Sequence, residues 1–209
     1  MNYWPPLLLL GTQFIAITML FFLFTEAKVI YPLKQKNETN HIHRTIYIDR
    51  HFDTEQTLAI ERAALRWSTA TKHIAEFQIV DMPAPMDENS DPLVIVDASP
   101  DFPDVMHLDA QNHGGTLGVY ISSEMAYPTI LIVTDRTEDT YLFEEVVLHE
   151  IGHSLGLPHM TGEEGYNTVM YPTTDLMSPV ITAKDLNAFC QHYDCNPKQL
   201  QNEEKPLHP

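Results

Sequence analysis

Eleven residues constrain this chain more than any other stretch: His149-Glu150-Ile151-Gly152-His153-Ser154-Leu155-Gly156-Leu157-Pro158-His159. On a helix, residues four apart share a face, so His149 and His153 can present imidazole nitrogens to one ion. Glu150 sits one position round from the first of them, where its carboxylate reaches a water on the ion without binding the ion itself. Gly156 tolerates the left-handed backbone that ends a helix, which lets the chain turn back and deliver His159 as a third ligand. Three protein ligands and an open fourth position are the mark of a catalytic zinc site, not a structural one. With imidazoles only and no thiolate, Zn2+ is favoured, although Co2+ or Ni2+ would also bind. The pattern fixes five positions, each met by chance about one time in twenty, so a random match in a chain of this size has odds of roughly 10⁻⁴.

Around this segment the sequence reads as one α/β domain. Short strands are expected at residues 45–49, 76–81, 93–97, 117–122 and 129–134, where β-branched and apolar residues cluster or alternate. Asp53 with Gln56 opens a helix as a capping box, and Ile60, Ala63, Ala64, Trp67, Thr71 and Ile74 follow at helical spacing. A second long helix spans 141–155, stopped by Gly156 and Pro158, and a third runs from Thr182 to about Tyr193 with Asp185 closing another capping box. Residues 83–92 and 100–115 read as loops. The chain has 209 residues, enough for one core, and its net charge of −17 excludes a nucleic-acid partner, which needs a basic face. The two cysteines, Cys190 and Cys195, cannot staple a miniprotein, but they could close a small loop in an oxidising compartment.

Residues 7–24 carry no charge and lie at the lower length limit for a membrane span. Thr25-Glu26-Ala27 offers small residues at the positions a signal peptidase inspects, whereas Met1 to Pro6 lack the usual Lys or Arg. Residues 1–27 are therefore expected to be a signal peptide or a membrane anchor, with both readings open. Residues 28–44 then form a polar stalk, 45–195 the folded domain and 196–209 a polar tail. Export of the domain is expected, either secreted or anchored to the membrane.

The eleven-residue segment resembles the extended zinc motif of the metzincin metallopeptidases at every fixed position. Downstream, Thr168-Val169-Met170-Tyr171-Pro172 resembles their Met-turn, and the Met-Tyr-Pro wording and the helix from Thr182 are most similar to the matrixin branch. The resemblance covers about residues 45–193. It implies a metzincin-like fold: a twisted mixed sheet of about five strands with an antiparallel edge strand, two long helices and a C-terminal helix after the Met-turn. It also implies that Met170 lies beneath the zinc. The strand that includes Leu117 and Gly118 would line the cleft, and Val169, Tyr171 and Pro172 would shape the pocket for the residue after the scissile bond. By analogy that residue is apolar.

Three features depart from the matrixin pattern. Met160 stands where a serine is usual, the connection from His159 to Met170 is slightly long, and Pro172-Thr173-Thr174 lacks the tyrosine of the pocket wall. His107, Asp109 and His113-Gly114-Gly115 faintly resemble the loop that holds structural zinc and calcium, without its spacing. Polar loop residues are the preferred reading, and a structural Ca2+ or second Zn2+ the lesser one.

Together these features imply a monomeric zinc endopeptidase acting on proteins or peptides outside the cytoplasm, with Glu150 as general base. The alternatives are another HExxH hydrolase, an inactive zinc-binding module tethered to a membrane, and an adaptor whose business is its apolar stretch. The first is disfavoured by Gly156 and His159, the second by the retained Glu150, and the third leaves the zinc motif unexplained.

Overall fold

The computed structural model describes residues 41–82, 84–87, 90–112, 115–123 and 126–201. The apolar stretch and most of the expected stalk lie outside these residues, and among them no helix is long and apolar enough to cross a membrane. Five strands, β1 (Ile42–Ile48), β2 (Ala75–Asp81), β3 (Pro92–Asp97), β4 (Gly118–Ser123) and β5 (Ala126–Ile132), form one sheet in the order β2-β1-β3-β5-β4. The pairs β1–β2, β1–β3 and β3–β5 are parallel, and only the edge strand β4 runs antiparallel, against β5. This is the mixed five-stranded sheet with an antiparallel edge that the sequence implied.

Alternation along the strands sorts side chains onto two faces. Ile46, Ile48, Leu93, Ile95, Ile130 and Ile132 join the main core, which also takes the apolar faces of α1 (Thr54–Ala70) and α3 (Thr140–Ser154). Leu131, with Ala98, Val105 and Val133, forms a smaller cluster on the opposite face. That second cluster belongs to α2 (Pro103–Asn112), a helix lying where the sequence suggested only a loop. Its prolines read as breakers, yet Pro103 occupies the first helical position, where a missing N–H costs nothing. Among the described side chains of this helix only Val105 is fully buried, so no apolar stripe advertises it.

Other boundaries shift slightly. β1 opens at Ile42, inside the expected stalk, and β5 runs back through Pro128 to Ala126. A break in the ladder between Ile121 and Ser123 spares the sheet the hydrogen bond that Pro128 cannot make. The capping boxes at Asp53–Gln56 and Thr182–Asp185 both form, and they open α1 and α4 (Ala183–Tyr193). The expected polar tail begins with a short helix, α5 (Pro197–Gln201). Cys190 and Cys195 are disulfide-bonded across the end of α4, where Asp194 takes a left-handed conformation that brings their Cα atoms within 4.5 Å.

Candidate metal centre

Helix α3 is capped by Asp139, whose carboxylate accepts from the N–H groups of Tyr141 and Leu142. Its other end closes through Leu157 N–H to Gly152 O (3.1 Å) and Gly156 N–H to His153 O (2.8 Å), with Gly156 at φ +81°. This paired 6→1 and 5→2 closure needs a left-handed residue at that point, and it turns the chain so that His159 faces back towards the helix. Beyond it, Met160 N–H donates to Met170 O (2.8 Å) and ties the returning chain to the Met-turn.

The three imidazoles converge, with ligand atoms all within 4.8 Å of one another. His149 donates its Nδ1–H to Val169 O (2.7 Å) and His153 donates its Nδ1–H to Leu157 O (2.8 Å). Each ring is thereby fixed in the tautomer that leaves Nε2 bare, the orientation expected of ligating histidines. The Nε2 atoms of His149 and His159 lie 3.1 Å apart. Two nitrogens about 2.0–2.1 Å from one tetrahedral ion stand roughly 3.3 Å apart, so the separation fits zinc. Burial pushes His149 down to about 4 and His153 to about 3, and it lowers His159 too. All three rings are therefore neutral at pH 7, as ligands must be.

Glu150 is only 5% exposed, and burial pushes its carboxyl up to about 8, opposed by a hydrogen bond from the Tyr120 backbone N–H. Its Oε2 atom is buried without a hydrogen-bond partner among the described residues. A buried carboxylate oxygen is costly to leave unpaired, which suits a site that presents it to a ligand or a water. Strand β4 lies hard against this side chain: a Cβ on Gly118 would stand 2.9 Å from Glu150 Oε1 and 2.7 Å from Val146 Cγ1.

Met170 lies beneath α3, fully buried, and a Cβ on Gly152 would collide with its Sδ. The glycine inside the zinc motif is thus required by the methionine below it. Of the expected pocket residues, Val169 bonds His149 through its carbonyl and Gly118 adjoins Glu150, while Leu117 accepts from Val133 N–H and packs on the core. Tyr171 packs edge-on against Tyr166 at 5.3 Å between ring centroids, and Pro172 is exposed just beyond the turn.

Three further residues support the site in ways the sequence did not show. Fully buried Asp185 accepts from Thr182 N–H (2.8 Å) as a helix cap and also from the N–H groups of Val169 and Met170 (both 3.3 Å). The capping box signalled the first role and hid the second. Trp67 donates Nε1–H to Leu148 O (2.8 Å), joining α1 to the ligand helix. Tyr166, from the slightly long connection, pairs with Tyr171.

The residues of the loop compared with a second metal site are otherwise engaged. His107 lies on α2 with its Nε2 3.0 Å from Gln111 Nε2, and both oxygens of Asp109 are held by Arg136 (2.7 and 3.0 Å). His113 and Gly114 lie outside the described residues.

A mixed sheet with an antiparallel edge over a helix that bears two of three converging histidines defines a zinc-metallopeptidase-type domain. The matrixin profile of the M10 peptidases matches residues 37–194, and the chain belongs to that family. It is 31% identical over 85 residues to a zinc metalloproteinase-disintegrin-like protein of Cerberus rynchops, a match covering 39% of this chain and 13% of that protein. The chain thus spans only a small part of that relative. Among solved structures it resembles an archaemetzincin from Methanopyrus kandleri (13% identity, TM-score 0.48), covering 77% of this chain and 99% of that one. It also resembles a zinc-dependent peptidase from Methanocorpusculum labreanum (12% identity, TM-score 0.37), covering 70% and 99%.

Proposed function

We propose that the domain is a zinc-dependent endopeptidase in which Glu150 is the general base. One observation carries this reading: three imidazoles bring their ligand atoms within 4.8 Å of one another, two of them with Nδ1 engaged and Nε2 bare, and Glu150, next after the first of them, keeps a buried carboxylate oxygen without a hydrogen-bond partner among the described residues. His149, His153 and His159 would hold the ion, and zinc bound there supplies Lewis acidity that polarises the peptide carbonyl and lowers the pKa of water. Glu150 accepts the proton of the attacking water and returns it to the leaving amine. A cation at the triad favours the ionised carboxylate and so opposes the rise that burial imposes on Glu150.

Strand β4 pairs on one side only among the described residues. Its free edge can take an extended peptide as an added strand, through main-chain hydrogen bonds available to any sequence. Tyr171 and Pro172 form the wall of the subsite for the residue after the scissile bond, while Val169 is buried in the core and contributes its carbonyl to His149. A second, structural ion is not needed by this reading, because Asp109 is already neutralised by Arg136. The retained Glu150 disfavours the alternative of an inactive zinc module.

We place the domain in an oxidising compartment, secreted or held at a membrane by residues 7–24, and acting as a monomer. The bonded pair Cys190–Cys195 supports the compartment. The test is hydrolysis of a quenched-fluorescent peptide library by the purified full chain, with chelator and with zinc restored. Chelator-sensitive cleavage recovered by zinc is expected; zinc-loaded protein that cuts nothing overturns the reading.

A further inference from the structure

Outside the triad, a second group of metal-binding side chains gathers at the start of the sheet. Ile42, Ile46 and Ile48 of β1 pack on the main core, so His43 and Thr45 project from the opposite face. His43 pairs with Glu76 across the parallel β1–β2 ladder, and its Nδ1 lies 3.1 Å from Glu76 Oε2. His73 reaches the other oxygen of the same carboxylate, with Nδ1 3.4 Å from Oε1. The end of α1 delivers it there: Lys72 and His73 are both left-handed (φ +49° and +63°), and His73 N–H donates to Ser68 O (2.8 Å). His41 lies parallel to His43, with ring centroids 6.2 Å apart, and donates its Nδ1–H to His73 O (3.1 Å).

One carboxylate thus stands between two imidazoles, one on each oxygen. The two N···O separations bracket the roughly 3.3 Å expected between ligand atoms on one tetrahedral zinc. Two imidazoles and a carboxylate suit Zn2+, Ni2+ or Cu2+, whereas Ca2+ and Mg2+ prefer oxygen alone. A cavity of about 310 Å³, lined by His43, Glu76, Gln78 and Ser90 among others, adjoins the group and leaves room for an ion with its waters. Among the described residues only the triad has three ligand atoms already within 4.8 Å of one another, so this set has to close on its ion. It has the freedom to do so, because the side chains of His43, His73 and Glu76 are 69%, 65% and 43% exposed. Ordering them costs free energy that the buried triad has already met, which makes this the weaker site.

We propose that His43, His73 and Glu76 form a second transition-metal site, which clamps the start of β1 to the turn between α1 and β2. His41 is its positioning residue, holding the His73 backbone through the carbonyl. The site shares no residue with the α2 region compared above with a structural metal loop, and it does not depend on whether the triad hydrolyses peptides.

The test is equilibrium dialysis of the untagged full chain against rising Zn2+, with bound metal counted by elemental analysis and melting followed by circular dichroism. Wild-type protein should bind two zinc ions, the second about tenfold or more weakly than the first. The second ion should raise Tm further, because it binds only the folded chain. His43→Ala with Glu76→Gln should keep the tight ion and lose the weak one together with its rise in Tm. His73→Asn should do the same, since Asn tolerates the left-handed backbone and so leaves the turn intact. Wild-type protein that saturates at one ion retained by both variants, or a weak ion that survives in either variant, overturns the proposal. A single ion lost with His43→Ala and Glu76→Gln would support this site and count instead against the triad.

Discussion

The two sides of the histidine triad, here called its rims, are built on different physics. The rim formed by α3, the Met-turn and α4 is dry: His149, Glu150, Met170 and Asp185 are all buried, and the rings of His149 and His153 are each held by one bond to a backbone carbonyl. The opposite rim, where β4 begins, is held by a wet cluster. Asp109 on α2 takes both guanidinium nitrogens of Arg136 and the N–H of Thr116 (2.9 Å), while Arg136 also donates to Thr116 O (2.8 Å). The pair is 20% and 26% exposed. Two residues on, Gly118 touches Glu150, and Tyr120 then donates to it. The side that carries the histidine triad is thus preorganised by burial, whereas the side where β4 begins is positioned by an ion pair open to water and acid.

The sharpest way to break this contrast is at the one group both rims share. Glu150→Gln should lower kcat by at least about 10²-fold, the ordinary worth of a general base, and leave bound zinc unchanged by elemental analysis. Turnover close to wild type would mean that Glu150 merely joins the rims and moves no proton. His149→Ala should act differently, lowering zinc content itself, because it removes a ligand and not a base.

What could be read from sequence divides along the same line. The dry rim is local: ligands four and ten residues apart on one helix and its turn, and a capping box spanning Thr182 to Asp185, all follow from short-range geometry. The wet rim joins Asp109, Thr116 and Arg136, and only the fold brings the last of them to α2. Nothing in the spacing of Asp109 shows that its partner is an arginine after β5. Helix α2 is hidden for a related reason, since among its described side chains it buries only Val105, which packs on Leu131 and Val133. Asp185 lies between these cases. Its cap was legible, but its bonds to Val169 and Met170 depend on how α4 docks.

That second role sets the next prediction in size. Asp185→Ala leaves the N–H groups of Val169 and Met170 buried without their acceptor and uncaps α4, at a cost of about 2 kcal/mol. Because Val169 O orients His149, zinc should also bind roughly tenfold more weakly. Thermal melts of chelated protein and competition for zinc with a fluorescent chelator measure the two effects separately. A lowered Tm with unchanged zinc affinity would confine Asp185 to its helix cap.

The smallest effect separates the rims by pH in the metal-free protein. His149 and His153 are held at about 4 and about 3 in the fold but titrate near 6.5 when unfolded. As pH falls below about 6.5 the unfolded chain takes up protons on both histidines that the folded one refuses; this outweighs the single opposite contribution of Glu150, raised to about 8, so stability drops from there towards pH 4. Asp109 acts in a lower window. Arg136 and then the Thr116 N–H hold its carboxyl well below the usual carboxylate range, so its contribution is present above about pH 4 and is lost as acid protonates it. Asp109→Asn should therefore lower Tm modestly at pH 5–7, leave the decline between pH 6.5 and 4 parallel to wild type, and converge with wild type towards pH 2. Melts by circular dichroism across that range give the comparison directly. A constant offset down to pH 2 would mean that the wet rim is held by packing and the neutral hydrogen bond to Thr116, and that its ion pair contributes nothing of its own.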